Sequence, residues 1–187
     1  VAPPPYAHGV DRSLRARTHR GLLRLFQLLP RGVRRIVVRV ASPSYTVGAI
    51  CVIERPDGHV LLVRQAYRRR WGIPGGLLQR GEDPAVAARR EVFEEVGIAV
   101  ELLGPPAVVV DPDPQRVDLV YRARPSSMAE IGEARPSSPE IVEVAWFAPD
   151  ALPELQFETA QAMVALARRD GAVADRDREG RGDPRLR

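Results

Sequence analysis

Glu91, Glu94 and Glu95 stand at positions i, i+3 and i+4 of a short acidic run. On a helix that spacing gathers the three carboxylates on one face, with about 6 Å between neighbouring Cβ atoms. Such a cluster repels itself, by about 0.2–0.5 kcal/mol per pair in an isolated helix. Arg89 and Arg90 are the nearest cations, two against three acids. A hard divalent cation offsets the repulsion directly, and Mg²⁺ favours a few carboxylates completed by waters and phosphate oxygens. Upstream, the Gly75-Gly76 pair allows backbone approaches that side chains forbid, so peptide N–H groups can reach phosphate oxygens. Metal ligands beside a phosphate cradle make a layout for phosphoryl transfer. The competing reading of the three glutamates alone is a solvated acidic helix face.

The carboxylates can act together only if the chain around them is rigid. Asp83 followed by Pro84 is an N-cap with a proline at the first helical position, and Gly97 is a C-terminal stop, which predicts a helix over Asp83–Val96. Ala85, Ala88, Val92 and Val96 form the stripe that buries this helix against a sheet. Before it, strand patterns at Tyr45–Glu54 and His59–Gln65 flank a turn at Asp57-Gly58 and predict a hairpin. Trp71-Gly72-Ile73-Pro74-Gly75-Gly76 is too rich in glycine and proline for a regular element. Further strands are expected near Ala107–Val110, Val117–Arg122 and Ile141–Phe147, with a last helix over Phe157–Arg169.

From Gly76 to Ile98 the chain reads GLLQRGEDPAVAARREVFEEVGI. This segment resembles the Nudix box, G-x5-E-x7-R-E-U-x-E-E-x-G-U, at all nine defined positions: Gly76, Glu82, Arg90, Glu91, Val92, Glu94, Glu95, Gly97 and Ile98. The resemblance implies an α/β fold, the family's α/β/α sandwich with a mixed sheet, here carrying an N-terminal helical extension. It implies that Glu91, Glu94 and Glu95 bind Mg²⁺ or Mn²⁺, with Glu82 as a further or water-mediated ligand. It also implies that Arg90 orients a catalytic glutamate and that Gly76, with Gly75, shapes the substrate loop. The general base varies among such proteins; Glu94 and Glu95 are the candidates inside the box, Glu140 and Glu143 those outside, and Glu140 is the preferred outside candidate.

The implied reaction is hydrolysis of a phosphoanhydride in a nucleoside diphosphate linked to another moiety, of the ADP-ribose or nucleotide-sugar kind. Pro112 and Pro114 favour that class, because they fall near the place where ADP-ribose hydrolases of the family carry a proline. Arg64 and Arg69, in the basic stretch with Gln65, Arg68 and Arg70, are candidates to clamp substrate, since guanidinium forks match phosphate oxygens. Trp71 is a candidate either for base stacking or for packing. The alternatives are a pyrophosphohydrolase that sanitises 8-oxo-dGTP or other nucleoside triphosphates, a non-catalytic nucleotide-binding regulatory domain, and an RNA-end-processing protein.

Length and composition frame these readings. With 187 residues, 44 % of them hydrophobic, the chain suits one buried domain with an accessory segment. The expected division is a basic helical extension over 1–44, a Nudix domain over 45–169 and a disordered charged tail over 170–187. The net charge of +4 is uneven, since residues 1–40 hold nine arginines against one acid, Asp11. The surplus sits in a segment without interleaved aromatics, which argues for a small nucleotide rather than nucleic acid as the partner. Helical stripes at Leu22, Leu25, Phe26 and Leu29, and at Val33, Ile36, Val37 and Val40, suit packing, a homodimer contact or an anionic surface. Cys51 is the single cysteine, so no disulfide forms within the chain. No apolar run reaches the roughly 18 residues of a membrane span and the start has no signal-peptide core, so a cytoplasmic protein is expected.

Overall fold

A computed structural model of the chain describes residues 27–41 and 44–180. The chain divides into two units, Val1–Ser44 and Tyr45–Arg187. In the first unit the Val33, Ile36, Val37 and Val40 pattern forms helix α1 (Arg31–Ala41). Of the stripe expected at Leu22, Leu25, Phe26 and Leu29, all but Leu29 lie outside the described residues.

The second unit runs β1 (Thr46–Ile53), β2 (Val60–Gln65), β3 (Gly75–Leu77), α2 (Pro84–Val96), β4 (Val100–Asp111), β5 (Arg116–Pro125), α3 (Met128–Glu133), β6 (Ile141–Phe147) and α4 (Phe157–Gly180). A four-stranded mixed sheet has the order β3-β1-β5-β4, with β1 parallel to β5 and the other pairs antiparallel. β2 and β6 form a separate antiparallel pair. Strands β1 and β2 are apolar on both faces, the mark of strands covered from both sides. On one side Ala49, Cys51 and Ile53 meet Leu61, Val63 and the α2 residues Ala88, Val92 and Val96. On the other, Ile50 and Val52 meet Val60, Leu62, Val120 and the α4 residues Ala162 and Leu166. Two cores on opposite faces of the strands, each closed by a helix, make the α/β/α sandwich.

Three elements differ from expectation. The Asp57-Gly58 turn forms, but β1 and β2 share only the bridge Glu54↔Val60 before they enter different sheets. No hairpin ladder is open to them, because both edges of β1 are taken, by β3 and β5. The glycine pair is not wholly irregular, since Gly75–Leu77 pairs with β1 as a short edge strand. The last helix continues beyond Arg169 to Gly180. Asp170, where the disordered tail was expected to start, accepts hydrogen bonds from Arg122 at 2.7 Å and Arg169 at 2.8 Å, which ties that turn to β5. Residues 181–187 lie outside the described residues.

Helix α2 begins and ends as the sequence predicts. The Asp83 carboxylate accepts from the N–H groups of Ala85 at 2.8 Å and Val86 at 3.3 Å, and Gly97 closes the helix in the left-handed conformation with its N–H on the Phe93 carbonyl. Cys51 is buried under this helix, where burial pushes its thiol up to about 12 and leaves it unreactive. Asp83→Ala should cost about 1 kcal/mol, the usual worth of an N-cap. In a domain of this size that lowers the thermal midpoint by about 2–4 °C. An unchanged melting curve would show that the cap does not hold the acidic helix in place.

Candidate active site

The three glutamates of α2 do not share one environment. Glu95, a turn beyond Glu91, turns inward and is only 8 % exposed. One of its carboxylate oxygens accepts the Gly75 N–H at 2.9 Å, so the helix is tied directly to β3. Burial pushes the Glu95 carboxyl up to about 7, and the negative charges of Glu91, Glu140 and Glu94 push the same way, while the Gly75 N–H works against them. Glu91 lies against Gly76, where a Cβ would stand 2.5 Å from the Glu91 carboxyl carbon. Gly76 is therefore required by the closeness of the carboxylate itself. Glu94 faces outward, with about half of its side chain exposed.

Arg90 organises the acids that Gly75 and Gly76 do not. Its Nε and Nη2 grip both oxygens of Glu82 at 2.8 and 2.9 Å, and its Nη1 reaches Glu91 at 2.7 Å and Glu94 at 3.1 Å. The Arg90 fork, helped by the Gln79 N–H, holds the Glu82 carboxyl at about 2. With both oxygens engaged, Glu82 serves here to fix Arg90 and the loop before α2. One guanidinium thus bridges three of the four box glutamates, and the buried one, Glu95, is held by a backbone N–H.

These residues border a cleft of about 460 Å³. Glu91, Glu95 and Glu140 lie on its walls together with Gly75 and Gly76, and Ile50 and Ile73 supply apolar lining. Arg68, Arg116, Asp118, Gln156, Glu158 and Thr159 are among its other lining residues. A slightly larger groove, about 490 Å³, runs between β4 and α4, but it is lined mainly by Val108, Val109, Phe157 and Val164 and contains no carboxylate. Of these two cavities, only the first brings carboxylates together.

The model of the NUDIX domain matches residues 44–167, about two thirds of the chain. The chain belongs to the Nudix family. A MutT-like protein of Streptomyces ambofaciens is 35 % identical over 132 residues, covering 71 % of this chain and 82 % of that protein. An RNA pyrophosphohydrolase of Caulobacter vibrioides is 40 % identical over 84 residues, but the match spans only 49 % of its length and 37 % of this chain. Among solved structures, an ADP-ribose pyrophosphatase from Streptococcus suis is 26 % identical with a TM-score of 0.54, covering 66 % of this chain and 88 % of that one. Membership makes this chain a hydrolase of phosphoanhydride bonds, in a family that generally uses divalent metal ions.

Within this Nudix domain the structure sorts the residues singled out by sequence. Gly75, Gly76, Glu91, Glu95 and Glu140 come together in the cleft. Glu94 and Glu82 stand beside it, joined through Arg90. Arg64 does not enter it, because its guanidinium pairs with Glu143 at 2.6–2.9 Å across the β2–β6 ladder. The same pair withdraws Glu143 from candidacy as a base. Arg69 is exposed and outside the cleft; of that basic stretch, Arg68 is the arginine that lines it. Trp71 packs edge-on against Phe147, with ring centroids 4.9 Å apart, within the second core. Pro112 and Pro114 belong to the turn between β4 and β5, away from the cleft lining. Arg116 and Asp118 were not found from sequence; their only signal is a period-two R-x-D at the start of a strand that continues with the apolar Leu119 and Val120. Among the described residues no helix is long and apolar enough to cross a membrane.

Do the residues suit a divalent ion? Among the described residues no three acidic, histidine or cysteine side chains form a ready cage. A cage is not what Mg²⁺ needs, since it keeps several waters and takes one or two carboxylates plus phosphate oxygens. Glu91 and Glu95, an all-oxygen donor pair on the wall of the cleft, meet that requirement. The raised Glu95 fits as well, because a buried carboxyl gains most from an adjacent positive charge.

The Glu95 shift has a measurable consequence without metal. Its folded-state value near 7 lies above the ordinary 4.5, so the folded protein retains a proton that the unfolded chain releases. This stabilisation is full below about pH 4.5 and is lost as pH rises through 7. Glu95→Gln in EDTA should therefore raise the thermal midpoint at pH 8 by several degrees and flatten its pH dependence between 4.5 and 7. Parallel pH profiles for the two proteins would mean that the carboxyl is not desolvated.

Proposed function

We propose that this Nudix domain hydrolyses the phosphoanhydride of a nucleoside diphosphate linked to a second moiety, of the ADP-ribose or nucleotide-sugar kind, with Mg²⁺ or Mn²⁺. The observation that carries the reading is one cleft in which Glu91 and Glu95, set against Gly75 and Gly76, face polar groups of β5 and α4. The similarity to an ADP-ribose pyrophosphatase over most of that protein's length supports the substrate class.

In this reading Glu91 and Glu95 hold the ion, with Glu94 on the solvent side. When bound, the ion neutralises charge on the diphosphate and acidifies a water. Arg90 and Glu82 are positioning residues. The Glu82–Arg90 fork fixes the guanidinium, and the guanidinium sets the directions of Glu91 and Glu94. Gly76, free of a side chain, lets phosphate oxygens approach β3. Glu140 lies in the same cleft and outside the helix, so we assign it as the base: it accepts the proton of a water whose oxygen bonds to phosphorus. The bridging P–O bond breaks, and the departing phosphate carries away the electron pair. Accommodating charge at a fixed site accounts for most of the catalysis in such displacements.

The test is a metal-supplemented panel of ADP-ribose, NADH, nucleotide sugars, 8-oxo-dGTP and 5′-triphosphorylated RNA, with products identified by mass spectrometry. Turnover of ADP-ribose or a nucleotide sugar to two monophosphates is expected. Glu91→Gln, Glu94→Gln and Glu95→Gln should keep the circular-dichroism spectrum and lose most of that turnover, Glu91→Gln and Glu95→Gln by at least 100-fold in kcat. Full activity in the Glu91 and Glu95 variants would dismiss the metal assignment, and turnover confined to RNA ends would dismiss the substrate class.

A further inference from the structure

Away from α2, the cleft contains a built feature that the catalytic reading does not use. Asp118 is only 8 % exposed, and Arg116 Nε lies 2.8 and 2.9 Å from its two oxygens. Arg116 and Asp118 alternate with Val120 on β5, so their side chains share the face that bears Ile50 on β1. Gly48 is the register partner of Asp118, and a Cβ there would fall on the Asp118 carboxylate and 3.0 Å from Arg116 Nη2. The pair therefore occupies space that β1 leaves vacant at this one residue. Among the described residues neither Nη of Arg116 has a hydrogen-bond acceptor, and Arg116 lines the cleft.

An ion pair with one buried and one half-exposed partner is weak evidence for stability, since the desolvation cost of Asp118 rivals the attraction. Its electrical effect on a ligand is clearer. Asp118 cancels the charge of Arg116, and the second cleft arginine, Arg68, is engaged by Glu158 at 3.2 Å. Glu158 stays ionised, because its own N–H at the start of α4 and then Arg68 hold its carboxyl below the usual range. The cleft as a whole has five carboxylates against two guanidinium groups. A bound divalent ion compensates the acids at the α2 end. The end formed by β5 and α4 keeps a balance of donors and acceptors, with Gln156 and Thr159 adding uncharged ones.

Resting on the substrate class proposed above, we infer that the β5–α4 end of the cleft takes an uncharged polar arm of the substrate, a sugar or nucleobase, and that Asp118 and Glu158 exclude an arm bearing a further phosphate. A phosphate there would lose its water to face two carboxylates that already balance the charge of both arginines, so it meets no net positive charge. An uncharged arm instead finds the Nη donors of Arg116 and the amide of Gln156. Asp118 and Glu158 thus act as specificity residues, and a bare guanidinium would invert the preference.

The test uses two matched substrate pairs with the full chain and Mg²⁺ or Mn²⁺: NADH against NADPH, and ADP-ribose against ADP-ribose 1″-phosphate. The extra phosphate sits on opposite arms in the two pairs, so the arm that enters the β5–α4 end need not be known beforehand. The wild-type protein should favour the unphosphorylated member of at least one pair by tenfold or more in kcat/KM, mainly through KM. Glu158→Gln, at an exposed position, should shrink that ratio at least threefold, and Asp118→Asn should shrink it further by releasing Arg116. A merely structural role would lower both members of a pair together and leave the ratio fixed. Ratios within twofold in the wild type for both pairs, or ratios unmoved in both variants, would overturn the inference while leaving the proposed hydrolysis intact. Failure to turn over any of the four compounds would overturn the inference, and failure on the nucleotide sugars as well would overturn the proposed hydrolysis.

Discussion

The crowding of carboxylates around one guanidinium and two glycines governs this structure. Glu82, Glu91 and Glu94 meet at Arg90, and Glu95 meets the Gly75 N–H. Each contact restrains one acid without fully compensating the set. Arg90 brings one positive charge to three carboxylates, and the N–H at Glu95 does not offset its burial. The domain therefore keeps a concentration of negative charge in a fixed place beside a cleft, a condition that divalent ions and phosphate oxygens together relieve.

The fold is the means of holding that charge still. Helix α2 is capped by Asp83 and Gly97 and buried through Ala88, Val92 and Val96, so the rotation of its acidic face is set by the core. Strand β3 is only three residues long, yet its pairing with β1 places Gly75 and Gly76 under Glu95 and Glu91. The opposite core, closed by α4, brings Glu158 and Thr159 to the other wall of the same cleft. One layer positions the acids to which we assign the ion, and the other positions the groups to which we assign the rest of the substrate.

The sequence made the helix and its chemistry legible because the relevant information is local. Caps, apolar stripe and acidic spacing all lie within Asp83–Gly97. The alternating and apolar strand patterns were legible for the same reason. Pairing partners were not: the Asp57-Gly58 turn suggests a hairpin, and only the occupied edges of β1 explain why its neighbours are β3 and β5. The substrate wall was largely illegible, because Arg116, Asp118, Gln156 and Glu158 come from distant segments and none has a spacing that signals a site. Arg64 shows the converse. Its residue type suits phosphate, but its cross-strand neighbour Glu143 captures it. The end of α4 was misread from composition, since a charged stretch with few apolar residues resembles a tail until Asp170 is seen anchored to Arg122.

Glu91 and Glu95, one turn apart on α2 and both lining the cleft, are the side chains to which we assign a divalent ion next to a diphosphate. Crystals soaked in Mn²⁺ with a methylene-bridged ADP-ribose analogue test that assignment most directly, through anomalous scattering at the manganese edge. The account predicts a peak within ligand distance of both carboxylates and of an analogue phosphate oxygen. An analogue seated in the cleft with no peak there, and with both side chains keeping their protein contacts, would contradict it.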